Sequence, residues 1–229
     1  MKIGIVGGIG PLSTLDYYSG IIHGYRQVAG DESYPEIVID SVNMTGMLQL
    51  VQQENWDALV QFLLRSIENL AKAGAAFAVL ASNTPHIVFE QIAKAAPIPL
   101  LSLVDETCNE AERRGYTKLI LLGTGFTMKH TFYADAMRKK GIEVAVPGKA
   151  AQEKIHHIIF PNLEEGIVLP EQKAEMLCLA KDSIQREGAQ ALILGCTELP
   201  LIIRPEDLDT PLLNTTQIHI AAIINRMLA

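Results

Sequence analysis

Short apolar runs alternate along the chain with longer stretches of helical period. The runs are 2–7 (KIGIVG), 36–42 (EIVIDSV), 76–82 (AFAVLAS), 99–104 (PLLSLV), 118–123 (KLILLG), 143–147 (EVAVP), 191–196 (ALILGC) and 211–214 (PLLN). Most are apolar throughout, as strands covered on both faces are. Helical patterns lie between them at 57–74, 130–141, 169–188 and 216–229, the first ending at Gly74, a residue suited to a helix C-terminus. Strand and helix in alternation predict an α/β fold with a largely parallel sheet.

Two features repeat. The stretch 2–11 (KIGIVGGIGP) matches 118–127 (KLILLGTGFT) at an offset of 116 residues, and 76–86 (AFAVLASNTPH) matches 190–200 (QALILGCTELP) at 114. Nearly equal offsets predict an internal duplication, in which Ser82 is the counterpart of Cys196. Ligands of open α/β sheets bind beyond the carboxyl ends of the strands. Gly7-Gly8, Ser82-Asn83-Thr84, Gly123-Thr124 and Cys196-Thr197 all fall at predicted strand ends. If the halves face each other, these turns converge on one cleft, with Ser82 and Cys196 on opposite sides.

Composition narrows the field. The chain has 229 residues, 48% hydrophobic and 20% charged, enough for two small domains with buried cores. A net charge of -7 argues against a broad nucleic-acid footprint. The basic triplet Arg138-Lys139-Lys140 falls at a predicted helix end, where cations suit the dipole. No apolar run approaches the roughly 20 residues that span a bilayer. The opening MKIGIVGGIGP is broken by glycines and a proline and reads as a first strand, not as a signal peptide. Three cysteines, Cys108, Cys178 and Cys196, show neither pairing nor metal-ligand spacing. A cytoplasmic protein without disulfides or a metal site is the expectation.

Candidate chemistry centres on Cys196. A lone cysteine closing an apolar strand is usually a small buried hydrophobe. Thr197 and Glu198 follow it, however, and a helix N-terminus close by would lower the thiol pKa and yield a thiolate. Nucleophilic hydrolysis would need a histidine partner, for which His86 and His219 are candidates. Cys108 and Cys178 lie in helical patterns and read as structural. The GGIG of residues 7–10 does not satisfy a dinucleotide fingerprint; it suits a tight turn that approaches a small ligand closely.

The motifs VGGIGPLST, ASNTPH, LLGTGFTM with FYADAM and GIEVAVP, LGCTELPL and NTTQIHIAA together resemble the aspartate/glutamate racemase superfamily, in particular its aspartate racemase-like members, over nearly the whole chain. The resemblance implies two Rossmann-like parallel-sheet α/β domains related by pseudo-twofold symmetry, with the active site in the cleft between them. Residues 1–98 with 208–229 form the first expected domain and 99–207 the second. It also implies a homodimer acting on a small amino acid without a cofactor, two opposed thiols removing and returning the α-proton. The carbanion-like state then needs positioned donors. Asn83, Thr84, Thr124, Thr127 and Thr197 are the expected donors, with Gly8 and Glu198 completing the substrate-binding set. Each of the polar residues also has an ordinary role in closing a turn or capping a helix.

The chain departs from the family pattern where it matters most. Ser82 stands where the first family cysteine is expected, and a hydroxyl is a far weaker acid than a thiol. A one-sided racemase, a single-thiol relative of decarboxylase type, an amino-acid-binding protein without turnover and a Cys-to-Ser variant are the readings this leaves open. The loop 40–50 carries no Arg or Lys, and Glu164 and Glu165 occupy a region where aspartate-type members carry a base. A dicarboxylic substrate would lack its countercharge, which gives neutral or basic amino acids equal weight. Asn214 stands where an acidic residue is common, whereas His219 follows the pattern.

Overall fold

The computed structural model describes residues 1–30 and 33–229. Its strands, among the described residues, are β1 Ile3–Gly7, β2 Ile37–Ser41, β3 Phe77–Leu80, β4 Lys118–Gly123, β5 Glu143–Ala145, β6 Ala191–Gly195 and β7 Leu212–Asn214. They form two sheets, ordered β2-β1-β3 and β5-β4-β6-β7, in which every pairing is parallel. β1, β3 and β6 are buried at every position, as expected of strands covered on both faces.

Each sheet belongs to its own compact unit. The first comprises Met1–Leu103 and His219–Ala229, the second Val104–Ile218. The expected boundary at residue 208 differs from this because β7 hydrogen-bonds to β6, so the chain stays with the second sheet until Ile218. The topology repeats between the units: a central first strand, its successor on one side, and a third strand on the other. β1, β2 and β3 correspond in this way to β4, β5 and β6. The expected strand at 99–104 is reduced to a single parallel bridge between Ala78 and Leu100. It occupies in the first unit the place that β7 takes in the second. Pro97 and Pro99 have no amide hydrogen to offer a ladder, and a helix begins at Leu103.

Helices cover the sheets. Trp56–Lys72 is capped by the Asn55 side chain, which accepts the Ala58 N–H at 3.2 Å. It buries Leu59, Leu63, Ile67 and Leu70 along one stripe, the spacing of three to four that its sequence shows. Helix Pro11–Ala29, which the apolar pattern does not single out, buries only Ser13, Tyr17 and Ile21. Two of its small residues let the C-terminal helix Thr215–Leu228 come close: a Cβ on Gly20 would meet Ile220, and one on Gly24 would meet Ile224. In the second unit Ile120, Leu122, Ile155, Ile159, Met176, Leu192 and Leu194 form a core that also takes in Cys196 and Leu199. No helix among the described residues is long and apolar enough to cross a membrane.

Candidate active site

In the second unit Gly123 and Gly195 pair across β4 and β6, and their lack of side chains lets the two strand ends meet. A Cβ on Gly123 would lie 2.9 Å from the Gly195 carbonyl. Beyond Gly195 come Cys196, Thr197 and Glu198, all buried. The Cys196 thiol donates to Glu198 Oε2 at 2.9 Å, and the Thr197 hydroxyl donates to Oε1 of the same carboxylate at 2.8 Å. Glu198 thus accepts from both residues before it.

The expectation of an acidified thiol is overturned here. Burial and the negative charge of Glu198, with the hydrogen bond to it and the more distant Glu164, push the Cys196 thiol well above its ordinary value of 9.0. The helix that follows, Leu199–Ile202, is a single turn, too short to set a dipole against a carboxylate in contact with the sulfur. Glu164 responds to the same environment: burial, then the charge of Glu198, raise it to about 7. It sits in the short turn Leu163–Glu165, whose Leu163 shares the core around Cys196 and Leu199.

The β4 end is built around a cap. Thr124 Oγ1 accepts the Thr127 N–H at 3.2 Å, and the two hydroxyls lie 3.1 Å apart. Thr127 has no exposed surface, so its hydroxyl serves the cap, whereas Thr124 is half-buried. Gly125 N–H donates to His156 Nδ1 at 3.4 Å, a contact across 31 residues that no local motif announces.

In the first unit β3 is followed by Ala81, whose carbonyl accepts the Ser13 hydroxyl at 2.7 Å. Ser82 follows, half-buried, then buried Asn83 and half-buried Thr84, which opens the 3-10 turn Thr84–Val88. Gly8 has a packing role: φ is +77°, and a Cβ there would strike the Val42 carbonyl and lie 2.7 Å from Ser41 Oγ. Its N–H is already given to Thr14 Oγ1 at 2.9 Å.

The histidines considered as thiol partners, His86 and His219, both belong to the first unit, where their ring nitrogens are engaged. His86 contacts the Ser82 carbonyl (3.0 Å) and Leu103 N–H (3.1 Å). His219 contacts the Tyr17 hydroxyl (2.8 Å) and the Leu101 carbonyl (3.1 Å). The group that meets the thiol is a carboxylate two residues along the chain. Cys108 is buried in helix Leu103–Arg113, its thiol pushed up to about 12 chiefly by burial, and Cys178 is exposed on helix Pro170–Glu187. Among the described residues no group of three or more His, Cys, Asp or Glu is arranged to hold a metal ion.

Two parallel α/β units of repeated topology, each ending a buried strand in a short polar turn with a serine or a cysteine at its head, define a class. Residues 6–223 match the Asp/Glu/Hydantoin racemase family, and the chain belongs to it. It is 24% identical over 230 residues to the broad specificity amino-acid racemase RacX of Bacillus subtilis (strain 168), covering 99% of this chain and 98% of that protein. The fold matches an aspartate racemase homologue from Pyrococcus horikoshii OT3 at a TM-score of 0.87 and 35% identity, over 100% of this chain and 99% of that one. A Yersinia pestis protein provisionally assigned as an Asp/Glu racemase matches at a TM-score of 0.91 and 31% identity, with the same coverage.

Proposed function

We propose that the protein is a cofactor-independent amino-acid racemase in which Cys196 and Ser82 handle the α-proton on opposite faces of the substrate. The observation that carries this reading is the 2.9 Å hydrogen bond from the Cys196 thiol to Glu198 at the polar end of β6, in a chain of racemase family. A buried thiol held protonated is a poor resting base, but it has an acceptor in contact. Transfer of the S–H proton to Glu198 leaves a thiolate, which takes the substrate α-proton. The C–H electron pair delocalises into the adjacent carboxylate, and the Ser82 hydroxyl supplies a proton from the other face, to be refilled from solvent. In the reverse direction the Ser82 hydroxyl first gives its proton to solvent and then takes the α-proton. The Cys196 thiol delivers its own proton to the other face, and the thiolate left behind is re-protonated from Glu198. Asn83, Thr84 and Thr124 are the donors we propose for the substrate carboxylate. Thr127 and Thr197 support them through the cap and through Glu198.

The charges near the thiol favour a substrate class. Glu198 is in contact with the thiol, Glu164 adds its charge as it ionises at about 7, and a second substrate carboxylate brought near them would be repelled. We propose amino acids with neutral or cationic side chains. The homodimer belongs to the same proposal, supported by apolar side chains left exposed on the first unit, Leu15, Tyr18 and Ile39, and molar mass by light scattering tests it.

The direct test is α-deuteration in D2O of a panel of L- and D-amino acids, followed by NMR. Exchange with neutral or basic members is expected, and its loss in Cys196→Ala. No exchange with any amino acid, with Cys196 shown to be reduced, overturns the reading. The protonated thiol also favours a second, single-thiol chemistry. Carbon dioxide leaves a substituted malonate, and the electron pair left on carbon takes the Cys196 proton. Gas release from a malonate panel, without amino-acid exchange, would select it.

A further inference from the structure

The two buried histidines of the first unit have fixed proton positions, and these tie the Ser82 turn to the rest of its domain. A backbone amide can only donate, so the Leu103 N–H makes His86 Nε2 the acceptor, at 3.1 Å. The ring proton of His86 is therefore on Nδ1, which donates to the Ser82 carbonyl at 3.0 Å. A carbonyl can only accept, so His219 Nε2–H donates to Leu101 O at 3.1 Å, and its Nδ1 accepts the Tyr17 hydroxyl at 2.8 Å. Phe89 stacks flat on the His86 ring, with centroids 5.1 Å apart and planes 5° from parallel. The line thus runs from helix Pro11–Ala29 through His219 to the segment Leu101–Leu103, and from there through His86 to the head of the polar turn. Burial lowers His86 to about 4 and His219 to about 3, and the neutral rings this gives are the ones the hydrogen bonds require.

We infer that His86 is a positioning residue: its Nδ1–H bond to the Ser82 carbonyl fixes the Ser82-Asn83-Thr84 turn and so aims the hydroxyl that serves one face of the substrate. The inference rests on the racemase reading, with Ser82 as one of the two acid/base groups. It gives the histidine of ASNTPH a role that neither thiol pairing nor simple core filling describes. A side chain held at both ring nitrogens and stacked on one face has one orientation, and the carbonyl it holds belongs to the reacting residue itself. Small displacements of a reacting group are costly, about 100-fold for roughly 1 Å.

The test compares two replacements. The amide of asparagine can stand at the Nδ1 position and keep the bond to the Ser82 carbonyl; that of glutamine reaches the Nε2 position and cannot. Initial α-deuteration is measured from each enantiomer separately. For His86→Gln, exchange through Ser82 falls about tenfold or more while exchange through Cys196 changes less than about threefold. For His86→Asn, both stay within about threefold of the wild-type chain. A merely structural role lowers both enantiomers together, in step with the folded fraction by circular dichroism, and that result overturns the inference. Should His86→Gln fail to fold, the imidazole 15N shifts of the wild-type chain decide. A proton on Nε2 of His86 overturns the inference; one on Nδ1, with His86→Asn active on both enantiomers, supports it. A wild-type chain that exchanges neither enantiomer overturns the racemase reading first, a result distinct from equal slowing in the variant.

Discussion

At the scale of the residue, Glu198 decides how Cys196 behaves. Two influences on the thiol point the same way, burial and a carboxylate in contact, and nothing on the adjoining single-turn helix matches them. Removing the charge separates acidity from activity. In Glu198→Gln the Coulomb contribution and the bond to a carboxylate disappear, so the thiol becomes more acidic. The pH inflection of its alkylation by iodoacetamide moves down. Exchange of the α-proton moves the other way, slower by about 100-fold or more, because the acceptor for the thiol proton is gone. Faster exchange in this variant would mean that the carboxylate only suppresses the thiolate. The motif CTE was legible as a candidate site, but the sign of its effect was not. A pKa follows from burial and distance, and spacing of two along the chain does not say whether a side chain turns back onto its neighbour.

At the scale of the element, strand ends and caps set the positions of the candidate groups. Thr124 holds the first turn of helix Gly125–Lys129 and, through it, buried Thr127 beside Gly123. Thr124→Ala is expected to lose about 1 kcal/mol of stability in urea titration, the usual value of an N-cap. Gly8→Ala is expected to cost more, about 2 kcal/mol or above. It combines a positive φ with a Cβ driven into the Val42 carbonyl. Equal effects of the two changes would contradict that packing. The strands β1, β3, β4 and β6 could be read from their sequences, since buried parallel strands are apolar at nearly every position, Lys118 at the head of β4 apart. Helix Pro11–Ala29 escaped for the converse reason: few of its positions are buried, and its glycines and exposed Leu15 and Tyr18 blur the period. The segment 99–104 looked like a strand because apolar content does not register the prolines that prevent a ladder.

At the scale of the whole molecule, the buried titratable groups predict an acid limit. His86 and His219 have folded values of about 4 and about 3 against an ordinary 6.5. The unfolded chain therefore binds more protons than the folded one between those values, and stability falls as pH drops from about 6.5. Each histidine protonated only in the unfolded chain contributes a slope of about 1.4 kcal/mol per pH unit. Glu164 acts oppositely. Its folded value of about 7 lies above the ordinary 4.5, so the folded chain holds the extra proton and stability falls as pH rises through that window. Two histidines outweigh one glutamate between about 4.5 and 6.5. Below 4.5 Glu110, held down to about 2 by its hydrogen bonds to Arg113 and Arg114, adds to the histidines in the same direction. Urea midpoints taken from pH 6.5 to 4 should therefore drop gently at first and steeply below about 4.5. In Glu164→Gln the steep slope should begin near 6.5. A stability independent of pH down to 4 would contradict the buried, neutral state of both rings.

By itself, the sequence determined the α/β class, the duplicated plan, the strand ends that carry polar turns and the family likeness. All of these follow from patterns of period, offset and motif that lie along the chain. Tertiary structure alone decided which groups meet. It gave the thiol a carboxylate neighbour, took both histidines into a buried line behind Ser82, and kept β7 with the second sheet. Hydrogen bonds reaching over 202 residues, from Tyr17 to His219, and over 118, from Leu101 to His219, depend on how the chain folds back. Proton positions and pKa values depend in turn on those contacts and on the removal of water around them, quantities that no local pattern encodes.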